Sequence, residues 1–145
     1  MNDLEFTDPA DAEAIEASLE LAAERGSDLA PLVYARLFAR EPAMQALFWR
    51  DTTGGIKGEM LAKVFEAILD FIGERRYAHH LIETEVVTHE GYDVPRTVFA
   101  TFFGIVEEVV RETCGADWTT EMGAAWRRIL ADLDHYVARR GLVPA

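Results

Sequence analysis

One cysteine, Cys114, is all the chain carries, so no internal disulfide forms, and no zinc-type Cys/His spacing occurs. Glycine and proline are not enriched, and there is no internal repeat, low-complexity tract or linker, which excludes fibrous, solenoid and disordered chains. No stretch approaches the roughly 20 uninterrupted apolar residues that a membrane-spanning helix needs. Met1 to Thr7 is acidic and lacks a cationic start followed by an apolar run, so no secretory signal is read and a cytoplasmic location is expected. Basic residues are scarce. Fourteen face 26 acidic ones, and a net charge of −12 repels phosphate backbones and anionic lipid, so neither nucleic acid nor membrane is an expected partner. No period-two alternation lasts long enough for a sheet, the closest being Glu85 to Thr88, and no Gly-rich dinucleotide fingerprint is present.

What remains is helical. Half of the 145 residues are apolar, enough for one domain over 1–145, with 1–8 as a short N-terminal extension. Asp8-Pro9 predicts a helix start, with Ile15, Leu19 and Ala22 on one face and a stop at Gly26. Asp28 is expected to cap a second helix bearing Leu29, Leu32, Val33, Leu37 and Phe38, with Pro31 in its tolerant first turn. Pro42 opens a short helical segment to about Phe48, and Asp51 to Gly55 reads as a loop. The period Leu61, Val64, Phe65, Ile68, Leu69, Ile72 predicts a helix from Ile56 to Gly73. A less regular helix follows from Arg75 to Thr88. Asp93-Val94-Pro95 starts another, burying Phe99, Phe102, Phe103, Val106 and Val110. Thr119 caps the last, where Met122, Trp126, Ile129, Leu133 and Tyr136 align before Gly141. About seven helices in one all-α domain imply bundle-like or globin-like packing.

Tyr34-Ala-Arg-Leu37-Phe38-Ala-Arg-Glu-Pro42, with Phe48 six residues on, resembles the second and third helices of bacterial globins. His89-Glu-Gly-Tyr92-Asp-Val94 resembles the globin proximal-histidine motif. Phe99 then falls ten residues later, where that family carries an aromatic, and Trp118-Thr119 with Ala125-Trp126 match its final helix. The resemblance runs from about Ile15 to Tyr136. It implies a globin fold enclosing haem b, with His89 as the proximal iron ligand. A lone histidine is ordinarily a surface or core residue, and His79, His80 and His135 are read so. Either His79 or His80 as ligand would put about ten extra residues before the aromatic helix.

The same resemblance implies roles for other residues. Tyr34 turns its hydroxyl toward a bound gas, and Phe48 stacks on the porphyrin. Phe65, Val94, Phe99, Phe102 and Phe103 line the slot, and Arg50 pairs with a propionate or stays solvated. Lys57-Gly58, with Leu61 one turn on, resembles the segment in which a distal residue precedes a glycine at the crossing with the second helix. Lys57 is then a distal iron ligand as a neutral amine. A one-residue shift puts Ile56 there instead and turns Lys57 outward. Glu85, one turn before His89, departs from the apolar residue usual there. It is either solvated or bonded to the histidine Nδ1–H.

The function so implied is reversible binding of O2, or of NO or CO, as a carrier, store or sensor, and not catalysis. Two alternatives stand beside it. One is a haem-free globin-fold signalling module. The other is a nitric-oxide dioxygenase or peroxidase, which would need a separate reductase. A second copy of the chain or that reductase are the protein partners considered.

Overall fold

The computed structural model describes residues 7–25, 28–48, 51–73, 94 and 96–140, without the side chains of 96, 99 and 135–140. The elements are α1 (Pro9–Arg25), α2 (Ala30–Arg40), a 3-10 segment (Pro42–Phe48), α3 (Gly55–Ile72), α4 (Arg96–Cys114), a second 3-10 segment (Gly115–Asp117) and α5 (Thr120–Arg140). No strand occurs among the described residues, and the fold is all-α as expected. The helix expected over 75–88 lies outside them.

Local chemistry sets most of the helix starts. Asp8 Oδ1 accepts from the Ala10 N–H at 2.8 Å and Pro9 opens α1, so one orphan donor is satisfied and one is absent. Asp28 Oδ1 accepts from the Ala30 N–H at 3.0 Å, and Pro31 sits within the first turn of α2. Thr119 Oγ1 accepts from the Met122 N–H at 3.0 Å at the start of α5. Such caps contribute about 0.5–2 kcal/mol each. Pro42 lacks an N–H and cannot continue α2, so the chain tightens into the 3-10 segment.

The centre of the core lies where α1, α4 and α5 meet. Ile15, Ile105, Val106, Trp126 and Ile129 are all but fully buried there. Polar atoms in this layer are paired. The Trp126 Nε1–H donates to Ser18 Oγ at 2.9 Å, and the Ser18 hydroxyl donates to the Ile15 carbonyl at 2.7 Å. The Cys114 thiol donates to the Ser18 carbonyl at 3.4 Å. Ser18 is therefore fully buried between Ile15 and Ala22, with Leu19 half-buried against the same core, because the Trp126 indole demands an acceptor at that spot.

Ion pairs fix α2 against α4. Arg36 reaches Glu112 through two N–H groups at 2.6 and 2.7 Å and Glu108 at 3.2 Å, and Arg40 holds Glu108 at 2.5 and 2.9 Å. Paired forks of this kind orient a helix more than they stabilise it, since exposed pairs contribute only about 0–1 kcal/mol. The orientation matters because α2 carries Tyr34.

Candidate functional site

Helical spacing places Val33, Tyr34 and Leu37 on the inward face of α2. After Pro42 the 3-10 segment folds back, which returns Phe48 to Tyr34. Their rings meet edge to face at 5.4 Å. Phe38 adds a ring 5.9 Å from Tyr34 and 5.6 Å from Phe48, and Phe102 of α4 lies 5.4 Å from Tyr34. Four rings from three elements thus form one apolar wall.

Tyr34 itself is 2% exposed, and its hydroxyl has no hydrogen-bond partner among the described residues. A buried unpaired hydroxyl costs about 1–3 kcal/mol. Burial, and then the negative charge of Asp51, push the phenol above its ordinary titration range, so it stays protonated and remains a donor.

Asp51 builds the other edge. Its Oδ1 accepts from the Ile56 N–H at 3.1 Å, and its Oδ2 accepts from the Lys57 N–H at 3.0 Å. The same Oδ2 also receives Lys57 Nζ at 2.9 Å. Gly54, at φ +84°, makes the tight turn that lets a residue so far upstream reach the first turn of α3. The carboxyl is held down to about 2, first by the Lys57 ammonium and then by the two backbone donors, against the cost of burial. Lys57 Nζ lies 5.5 Å from the centre of the Phe48 ring, within cation–π range. Tyr34 and Lys57 therefore stand against the same phenylalanine.

Of the residues singled out in the sequence, Tyr34, Phe48 and Lys57 come together here. Leu61 is buried one turn beyond Lys57, and Val94 and Phe65 are half-buried against the core. His89, Arg50, Glu85, His79 and His80 lie outside the described residues, as does the Phe99 side chain. Ile56, the alternative to Lys57, is 45% exposed and turned outward.

Two expectations about α3 need correction. Gly58 does not mark a close crossing, since a Cβ built there meets no heavy atom within 4 Å. It lines instead a cavity of about 370 Å³ with Leu19, Leu29, Leu61 and Phe65, between α1, the start of α2 and α3. Leu69 is not inward. It is 47% exposed because its neighbour Ile68, at 0%, takes the core position.

The sequence places Asp51 in a loop, where its signal is an acidic residue just ahead of a Gly-Gly turn and a helix. It places Phe38 and Phe102 on buried helix faces, and the fold brings both into one wall with Tyr34.

Among the described residues no three His, Cys, Asp or Glu side chains gather as a metal cluster, and no helix is long and apolar enough to cross a membrane.

Comparison with known proteins gives two kinds of match. The chain is similar to the uroporphyrinogen decarboxylases of Actinobacillus pleuropneumoniae serotype 5b (strain L20) and serotype 7 (strain AP76), 32% identical over 101 residues in each case. That alignment takes in 67% of this chain but only 25% of theirs, so the chain spans a quarter of the length of these relatives. No solved structure matches the chain. The family model described as Globin matches residues 32–137, from the first turns of α2 through most of α5. That stretch contains the ring wall, the Asp51–Lys57 pair and the all-α packing around them, and this chain belongs to the globin family.

Proposed function

We propose that this globin binds haem b and, through it, a diatomic gas reversibly, dioxygen first with NO and CO as related ligands. One observation carries the reading: a buried, protonated Tyr34 hydroxyl without a partner among the described residues, set in a wall of aromatic rings. A core built only for stability pairs such a group or replaces it with phenylalanine. The residues present fit the group. Phe48 offers a flat face to a porphyrin, Leu61, Val94 and Phe102 supply apolar surroundings, and Phe99 joins them by its motif position. By the motif, His89 would supply the imidazole that holds the iron and Arg50 would meet a propionate.

Bound haem would supply an iron atom able to take up a small diatomic molecule. The chain supplies the rest. Tyr34 donates a hydrogen bond to the partly negative end of the gas, from a position fixed before the gas arrives. The rings keep water away, which strengthens that bond. The role proposed is carriage, storage or sensing.

The test is haem titration followed by absorbance. The wild-type chain takes up one haem and shows an intense band in the blue, and His89→Ala loses most of the uptake. Full uptake by His89→Ala with loss in His80→Ala assigns the ligand to the wrong histidine. No uptake by the wild type overturns the reading in favour of a haem-free module.

A further inference from the structure

Lys57 and Leu61 are four residues apart and share a face of α3. The lysine stem therefore starts on the same side of α3 as the buried Leu61. Its ammonium turns to Asp51. Nζ sits 2.9 Å from Asp51 Oδ2, beside the Phe48 ring. The Asp51 side chain is 1% exposed, and its two oxygens are already bound to the first turn of α3. The carboxylate that starts the helix thus also holds the side chain of the helix's third residue.

We propose that Asp51 is a positioning residue which keeps Lys57 off the iron, parked over Phe48, and so leaves the distal side open to gas. The proposal rests on the haem reading for its consequence and on geometry alone for the pair. An ammonium has no lone pair to give a metal. To become a ligand, Lys57 must leave Asp51 and shed a proton, which strands a buried carboxylate without its counter-charge. Removing the carboxylate charge removes that restraint. Asp51→Asn keeps an oxygen to accept a backbone N–H of α3 but no longer holds the ammonium.

Two readouts test it. Lys57 and Lys63 are the chain's two lysines, and Lys63 is exposed on the same helix, so it serves as an internal reference. Acylation by a water-soluble succinimidyl ester, followed by peptide mass spectrometry, gives the Lys57:Lys63 labelling ratio without any haem. The ratio rises about two- to five-fold in Asp51→Asn, the range expected from loss of one partly exposed ion pair. Asp51→Glu restores part of the protection. Should Asp51→Asn fail to fold, the wild type alone decides: Lys57 labels more slowly than Lys63 in the folded chain and equally in urea.

The second readout is the ferric spectrum of the haem-loaded protein. Wild type and Lys57→Ala share one spectrum, while Asp51→Asn gains a low-spin, six-coordinate form that vanishes in Asp51→Asn/Lys57→Ala. An unchanged labelling ratio in Asp51→Asn overturns the pairing. A low-spin form in the wild type that Lys57→Ala abolishes shows that lysine ligates despite Asp51, and overturns the proposal too. Failure of the wild type to bind haem sinks the haem reading instead, and leaves the labelling ratio to judge the pair.

Discussion

The α1–α4–α5 core and the aromatic wall around Tyr34 are built from similar apolar residues but treat buried polar atoms in opposite ways. In the core, the Trp126 indole, the Ser18 hydroxyl and the Cys114 thiol each have a partner within the protein. In the wall, the Tyr34 hydroxyl has none among the described residues. The same phenol set in the core would need an acceptor such as Ser18. Leaving it unpaired costs stability, and a cost of that kind is retained where something other than stability is served. In the proposed reading, the first region holds the fold and the second receives the ligand.

The largest test of that division is Trp126→Ala. Truncating a fully buried tryptophan leaves a cavity, strands Ser18 Oγ, and lowers unfolding stability in urea by about 3–5 kcal/mol. Loss of less than about 1 kcal/mol would mean that the core is not what holds the chain.

Ser18→Ala comes next. It leaves the buried Trp126 N–H without an acceptor and costs about 1–3 kcal/mol, read as a lower urea midpoint at unchanged slope. An unchanged midpoint would remove the contrast with Tyr34.

A smaller effect distinguishes the Asp51 edge of the site by pH. The Asp51 carboxyl is held below its ordinary value, to about 2, so its contribution is complete above the unfolded pKa near 4. It is lost as pH falls from about 4 through about 2. Across that window the wild type loses more stability than Asp51→Asn, measured as the difference between their urea midpoints. Parallel curves would show that Asp51 is not bound as described.

Legibility followed the reach of the chemistry. Asp8-Pro9, Pro42 and Thr119 announced helix starts in the sequence because a cap acts over two or three residues. Tyr34 and Phe48 were legible from the motif that contains both, and the structure puts their rings in contact. Asp51 was not legible, because it reaches five and six residues forward across a left-handed glycine turn. Leu69 misled because Ile68 and Leu69 are adjacent and apolar, and helical period alone does not choose between neighbours. Gly58 misled for a related reason: a glycine permits close approach but does not create it. Ser18 was passed over because a buried hydroxyl is specified by its partner, Trp126, 108 residues away.

The most direct measurement takes Tyr34→Phe through both properties in one experiment. The hydroxyl has no partner within the described protein, so the haem-free variant should unfold at the same urea concentration as the wild type or at a higher one. In the haem-loaded protein the same substitution should speed dioxygen release about ten- to hundred-fold, the loss of one hydrogen bond to a charged acceptor. A variant that loses stability while its dioxygen release rate stays unchanged would contradict the account, because Tyr34 would then be part of the core and not of the site.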